Sequence, residues 1–232
     1  MTASVEKSRV AAMAELTATL ATALAERWGV AVPFLEYAEK AAAVPTSVGF
    51  RALFARVPRR LGAAARQPLG QEWLETLPAA RPHWTLTDVV RLWLLLRGFD
   101  AMSRPAQAGW VLSLFEVGEI GEQVSILRIL SALPEPGRFI ETGEQACRHN
   151  SLDVFEAIVA ENPFLADHFP PLSFNQAVMK SLFLQVSVKR IERLELRITP
   201  ELSRMVAGYA SERRAAGRPV PEDVTYLSQY GA

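Results

Sequence analysis

Between Val89 and Leu96 the chain reads Val-Val-Arg-Leu-Trp-Leu-Leu-Leu, and no water-soluble fold can leave that segment at its surface. Thr85 and Asp88 stand three residues apart just before it. That is capping-box spacing, so a helix should begin at Thr85 and run to about Arg97, with Gly98 ending it. A helix that is apolar nearly all round has to be covered on several sides. The rest of the chain must therefore supply partner helices, and its periodicity shows that it does.

Upstream, Leu16, Leu20, Leu24 and Trp28 recur every four residues, with Met13 three before Leu16. This predicts a first helix over 5–28 with one apolar face, closed by Gly29 and followed by Pro33. Shorter helices are expected at Phe34–Ala43 and Val48–Ala55, separated by Pro45. Downstream, the spacing predicts Pro105–Val117 (stripe Trp110, Leu114, Val117) and Glu122–Leu133 (stripe Val124, Leu127, Leu130). Further helices are expected at Phe139–His149, Leu152–Glu161 and Phe174–Val186. A last one is capped by Thr199, starts at Pro200 and carries Leu202, Met205, Val206 and Tyr209 on one face. Breakers at Gly98, Gly118, Pro134, Asn150 and Pro163 recur about once per helix. No useful alternating pattern predicts a strand. The class is all-α with no significant sheet, and the arrangement expected is a stack of antiparallel helical hairpins, α-solenoid-like, as in TPR or HEAT proteins.

Residues 57–84 are the least regular. Pro58, Gly62, Pro68, Gly70, Pro78 and Pro82 lie among the basic Arg56, Arg59, Arg60 and Arg66. A connection of that length is functional or a boundary. It suggests a division into 1–84, the N-terminal helices and connection, and 85–232, the helical stack, which together could also form one continuous domain.

Several functions lose support from composition. Lys+Arg and Asp+Glu number 25 each, so no general electrostatic attraction to nucleic acid is expected. The longest apolar run is far short of the ~20 residues that span a bilayer. A lone cysteine, Cys147, excludes an intrachain disulfide and fits a reducing compartment. Glu6 and Glu15 interrupt any signal-peptide core. The expected location is the cytoplasm.

Recognisable chemistry is scarce. His83, His149 and His168 are the three histidines, with no HExxH and no paired cysteines, so no metal site is predicted. Cys147 and His149 are two apart and would point to opposite sides of a helix, which makes them a poor dyad. There is no P-loop, no G-x-G-x-x-G and no G-x-S-x-G. No catalytic residue and no cofactor are assigned.

The densest polar cluster supplies the candidate ligand- or partner-binding residues: Arg148, Asn150, Glu156, Asn162, His168, Asn175, Gln176 and Lys180. Each also has a structural explanation. Arg148 can pair with Glu144 one turn back, Asn150 can cap the next helix, Asn162 can form the turn before Pro163, and Ser173 with Gln176 has capping-box spacing. Glu156, in an otherwise apolar helix, and Asn175 and Lys180, at the head of an aromatic-rich one, are harder to explain that way.

The order Val154-Phe-Glu-Ala, Asn162-Pro, His168-Phe and Asn175-Gln-x-Val-x-Lys-x-Leu-Phe183 resembles the EboA family, as does Pro200-Glu-Leu through Tyr209-Ala-Ser-Glu-Arg to Ala216-Gly-Arg-Pro219. Upstream, Leu114-Phe to Gly121-Glu and Leu127 to Pro134 fit less distinctively, and residues 1–84 match only loosely apart from Pro58-Arg-Arg-Leu-Gly62. The resemblance implies a protein from bacterial gene clusters that also encode a UbiA-like membrane prenyltransferase, a TatD-like hydrolase and sugar-isomerase-like proteins. Those clusters are implicated in making or moving a secondary metabolite toward the periplasm. It marks Phe155, Glu156, Asn162, Pro163, His168, Asn175, Gln176 and Lys180 as signature positions.

Two functions stay open. One is a non-catalytic accessory of secondary-metabolite biosynthesis or traffic. It would bind a small metabolite or dock proteins of the same cluster, the membrane prenyltransferase among them, at the inner membrane face. The other is an enzyme of unrecognised type with Glu156 or His168 as acid or base, which requires Glu156, His168, Asn175 and Lys180 in one closed pocket.

Overall fold

In a computed structural model the described residues are 2–26, 29–30, 32–71, 77, 79–230. Trp28 and Pro78 lie outside them. Among the described residues there are twelve α-helices and no strand, only an isolated antiparallel bridge between Pro68 and Thr85. No helix among them is long and apolar enough to cross a membrane. The chain forms two compact units, Met1–Phe139 and Ile140–Ala232. Residues 84 and 85 both fall inside the first.

The first unit is built around α4. Its helices are α1 (Thr2–Glu26), α2 (Val32–Ala42), α3 (Val48–Leu61), α4 (Leu86–Asp100), α5 (Arg104–Val117) and α6 (Ile120–Ile129). Every residue of α4 from Leu86 to Leu96 is buried, because α1, α2, α3 and α6 all pack against it. This is the all-round cover that its apolar circumference requires.

Two polar residues in this helix are the tethers of the unit. Asp88 is 2% exposed. It accepts from the Thr85 N–H at 2.8 Å and hydroxyl at 3.0 Å, from the Ser125 hydroxyl of α6 at 2.5 Å, and from Arg128 at 3.4 Å. The expected capping box thus also ties α4 to α6. Arg91 lies over the Phe54 ring and donates to the carbonyls of Phe54 (3.2 Å) and Gly121 (2.8 Å). Burial lowers its pKa, opposed by Glu122 and Asp88. A guanidinium starts so high that it stays charged.

Some boundaries differ from expectation. Gly98 does not end α4, which continues to Asp100. A Cβ at Gly98 would lie 2.6 Å from the Trp110 ring, so the glycine serves close packing. Trp110 in turn touches Phe50 and Phe99, and Phe99 stacks on Phe139. Helix α3 runs past Pro58 to Leu61 and stops where Gly62 takes φ 58°. The connection after it is pinned: Thr87 donates to the Ala65 carbonyl (2.8 Å), the Leu69 N–H donates to Trp84 O (3.0 Å), and Leu69, Leu77, Ala80 and Trp84 are buried.

The second unit contains α7 (Ile140–Arg148), α8 (Leu152–Val159), α9 (Pro163–His168), α10 (Pro171–Leu184), α11 (Pro200–Ala215) and α12 (Glu222–Ser228), with short 3₁₀ turns before α11. Its core is Val154, Phe155, Ile158, Phe164, Phe174, Val178, Leu182, Val188 and Leu202. Gly143 of α7 lies against two aromatic rings, 2.8 Å from Phe169 and 3.1 Å from Phe164 to where a Cβ would stand. Thr199 caps α11 as predicted, accepting from the Leu202 N–H at 3.2 Å. The C-terminal segment forms α12, which packs on α11 and buries Val224 and Leu227. Asp223 at its start accepts from the Ser187 hydroxyl and the Val188 N–H.

Candidate functional site

The eight candidate residues all lie in the second unit, with diverse partners. Lys180 reaches from α10 to the end of α7. Its ammonium donates to the carbonyls of Cys147 (2.6 Å) and His149 (3.0 Å) and sits 4.8 Å from the Phe155 ring centre. It therefore satisfies carbonyls left open at a helix C-terminus, with the favourable sign of charge there. Asn162 is buried and caps α9: its side chain accepts from the Phe164 N–H (3.0 Å) and donates to Ala157 O (2.8 Å). Glu156 accepts from Arg190 at 2.8 Å. The same guanidinium contacts Glu161, which stands at φ 55°, and its pKa is raised, chiefly by the bond to Glu156.

His168 packs on the Phe164 ring at 5.0 Å. Burial lowers its pKa, with Asp167 opposing and Arg193 adding to the effect. Arg148 pairs with Glu144 at 3.7 Å, one turn back as expected. Asn150 does not cap α8. Ser151 holds that position, and the Ser151 N–H donates to His149 Nδ1 at 3.0 Å. The capping box proposed for Ser173 and Gln176 is absent, because α10 begins at Pro171. Ser173 lies inside the first turn and donates to Glu144, and Gln176 is exposed. Asn175 is 3% exposed, and its side-chain carbonyl oxygen has no hydrogen-bond partner.

Glu156, His168 and Lys180 thus have separate sets of neighbours: Arg190, the Phe164 ring and the end of α7. Cys147, beneath Lys180, is pushed up to about 12 by burial, with Lys180 opposing. The thiolate is the reactive form. Alkylation by iodoacetamide at pH 8 should therefore run at least tenfold slower in the native protein than in urea; equal rates would contradict the desolvation. The sign for stability follows from linkage. The unfolded chain releases this proton first, so the contribution is complete below pH ~9 and falls as pH rises toward 12.

A different site, which sequence reasoning missed, lies in the first unit. A groove of about 610 Å³ opens between α1 and the segment from the end of α4 to Arg138. Met13 and Leu16 of α1, Phe99, Met102, Ala132 and Pro134 form apolar walls. The apolar stripe of α1 is divided: Leu20 and Leu24 are fully buried, whereas Met13 and Leu16 remain partly accessible. One side of the groove carries a polar network. Glu135 receives Arg104 through Nε at 2.8 Å and Nη2 at 2.6 Å. Arg138 donates to Gln107 Oε1 (3.2 Å) and to the Arg104 carbonyl, and Gln107 donates to Phe99 O (3.3 Å). Glu135 stands between two prolines at φ 53°, a strained conformation for a non-glycine residue. Residues so far apart in sequence give no local signal; the Pro-Glu-Pro step alone marks the place.

The basic stretch 56–66 borders another groove of about 670 Å³, where Arg56, Arg59 and Arg66 face Glu119 and Glu122. Charges of both signs make it a poor anion site. Burial raises the Glu122 pKa, with Arg91 opposing. Among the described residues no group of three or more His, Cys, Asp or Glu could hold a metal ion.

No curated protein and no solved structure matches the chain. The family described as metabolite traffic protein EboA matches residues 30–228, which covers both units and leaves α1 outside. The helical architecture and the signature from Val154 to Phe183 agree with that match, and the chain belongs to the EboA family of metabolite traffic proteins.

Proposed function

We propose that the protein is a non-catalytic accessory of metabolite traffic that holds a small molecule in the groove of its first unit. The groove itself is the observation that carries this reading. Ligand sites are concave and mostly apolar, with a few fixed polar groups, and measure roughly 300–1,000 Å³. At about 610 Å³ the groove fits that description. The dispersal of Glu156, His168 and Lys180 among different partners supports a non-catalytic role. Native mass spectrometry of freshly purified protein should show an additional small-molecule mass, lost in a Leu16→Glu variant that keeps its helical circular dichroism. A bare protein mass from several preparations, with no metabolite recovered by organic extraction, would count decisively against this reading.

Partner docking is the second reading, favoured by one observation. Leu172, Gln176 and Phe183 share a face of α10 and are exposed, Leu172 by 67% and Phe183 by 61%. The partner would be another protein of the same gene cluster, met at the inner membrane face. Arg148, Asn150 and Gln176 are the candidate contacts. Neighbouring helix pairs in this unit support a hairpin stack of α-solenoid type. Phe183→Glu should abolish capture of the partner; unchanged capture would refute this surface.

A further inference from the structure

We infer that the groove of the first unit selects a neutral, largely apolar molecule with a single hydrogen-bonding head group, and that its charge balance, set by Glu135, excludes charged amphiphiles. This inference rests on the reading of the groove as the ligand site.

The walls set the body of the ligand. Met13, Leu16, Phe99, Met102, Ala132 and Pro134 offer methyl, thioether, aryl and ring surfaces. Desolvating such walls against an apolar body is favourable in proportion to the area removed from water. Unbranched methionine side chains adapt to a flexible or irregular body, and two of them are present.

The head is set by charge. The ionisable groups lining the groove are Asp100, Arg104, Glu135 and Arg138, two of each sign. They are already engaged with one another or with neighbours. Glu135 takes Arg104 in a two-point contact and lies 3.5 Å from Arg138, and Asp100 pairs with Arg97 at 2.9 Å. A carboxylate or phosphate head would have to compete with Glu135 for its guanidinium groups, or enter beside two carboxylates. An ammonium head meets the mirror-image difficulty at the arginines. Either brings an unbalanced charge into a partly desolvated site. A hydroxyl, carbonyl or amide escapes this. The network presents N–H donors and carboxylate acceptors together, so a neutral head can bond without displacing an ion pair. The contacts with Arg104 and Arg138 hold the Glu135 carboxylate in place, on a backbone set at φ 53° between two prolines.

Removing that carboxylate makes a positive test possible. Glu135→Gln keeps the length of the side chain and one acceptor for Arg104 but leaves Arg104 and Arg138 in excess over Asp100. The groove should then gain affinity for an anionic head.

The probes are Nile red and three ten-carbon competitors whose head groups are neutral, anionic and cationic at pH 7.5: 1-decanol, decanoate and decylammonium, each below its aggregation concentration. Nile red fluorescence should rise on binding to wild type and stay low with Leu16→Glu. 1-Decanol should displace the dye with an affinity at least tenfold above either charged competitor. In Glu135→Gln the ratio of decanoate to decanol affinity should rise at least tenfold. If decanoate or decylammonium matches 1-decanol on wild type, the charge selection is wrong while the groove remains a ligand site. If neither the dye nor any competitor binds, or if Leu16→Glu binds the dye as wild type does, the groove reading itself falls. Should Glu135→Gln fail to fold, the three wild-type affinities decide alone.

Discussion

Replacing Asp88 with alanine is expected to lower the stability of the first unit by about 3–5 kcal/mol, the usual consequence of breaking a buried charged network by removing one member. Three losses coincide. Helix α4 loses its capping partner at Thr85, an effect of roughly 0.5–2 kcal/mol by itself. The buried Ser125 hydroxyl loses its acceptor at 2.5 Å. Arg128 loses its carboxylate at the edge of the same site. Asp88→Asn keeps an acceptor for Thr85 and turns an NH2 donor toward the Ser125 hydroxyl, which can rotate to accept it, while removing the charge, so it should cost only about 1–2 kcal/mol, in the range of single hydrogen bonds. Urea unfolding followed by circular dichroism measures both. A shift below 1 kcal/mol for the alanine variant would show that Asp88 does not join α4 to α6.

In the second unit the corresponding expectation concerns Lys180. Lys180→Met keeps most of the aliphatic stem and removes the ammonium. Two carbonyls at the end of α7 lose a charged donor, each such bond contributing about 1.5–3 kcal/mol at most. The Phe155 ring loses a cation worth roughly 0.5–2 kcal/mol. Part of this is recovered by methionine packing and by water reaching a half-buried site, so the net cost should be about 2–4 kcal/mol. The same variant should bind Nile red as wild type does. Loss of dye binding without loss of stability would instead mark Lys180 as a ligand residue.

The contrast between these two sites explains what could be read from the chain in advance. Helix α4 declared itself because its apolar circumference and the Thr85–Asp88 spacing are local. The same holds for the Thr199–Pro200 start of α11. Gly98 and Gly143 misled or stayed silent, because their reason is a ring from elsewhere in the unit: Trp110 over one, Phe164 and Phe169 over the other. The polar signature from Arg148 to Lys180 was visible, yet the roles of its members depend on distant partners. Lys180 meets carbonyls about thirty residues away, and Glu156 meets an arginine 34 residues on. The groove was the least legible feature. Arg104 and Glu135 are 31 residues apart, and each looks like an ordinary surface charge until the fold brings them together.

The division into two units also separates the chain's chromophores. Among the described residues, Trp84, Trp93 and Trp110 fall within the first, whereas Tyr209, Tyr226 and Tyr230 fall within the second, so the emission of these three indoles reports on the first unit. An event confined to the second unit, including partner capture on α10, will go unseen by the commonest optical assay. Placing a tryptophan at Phe183, an exposed aromatic position, would give the signature half of the molecule a reporter of its own.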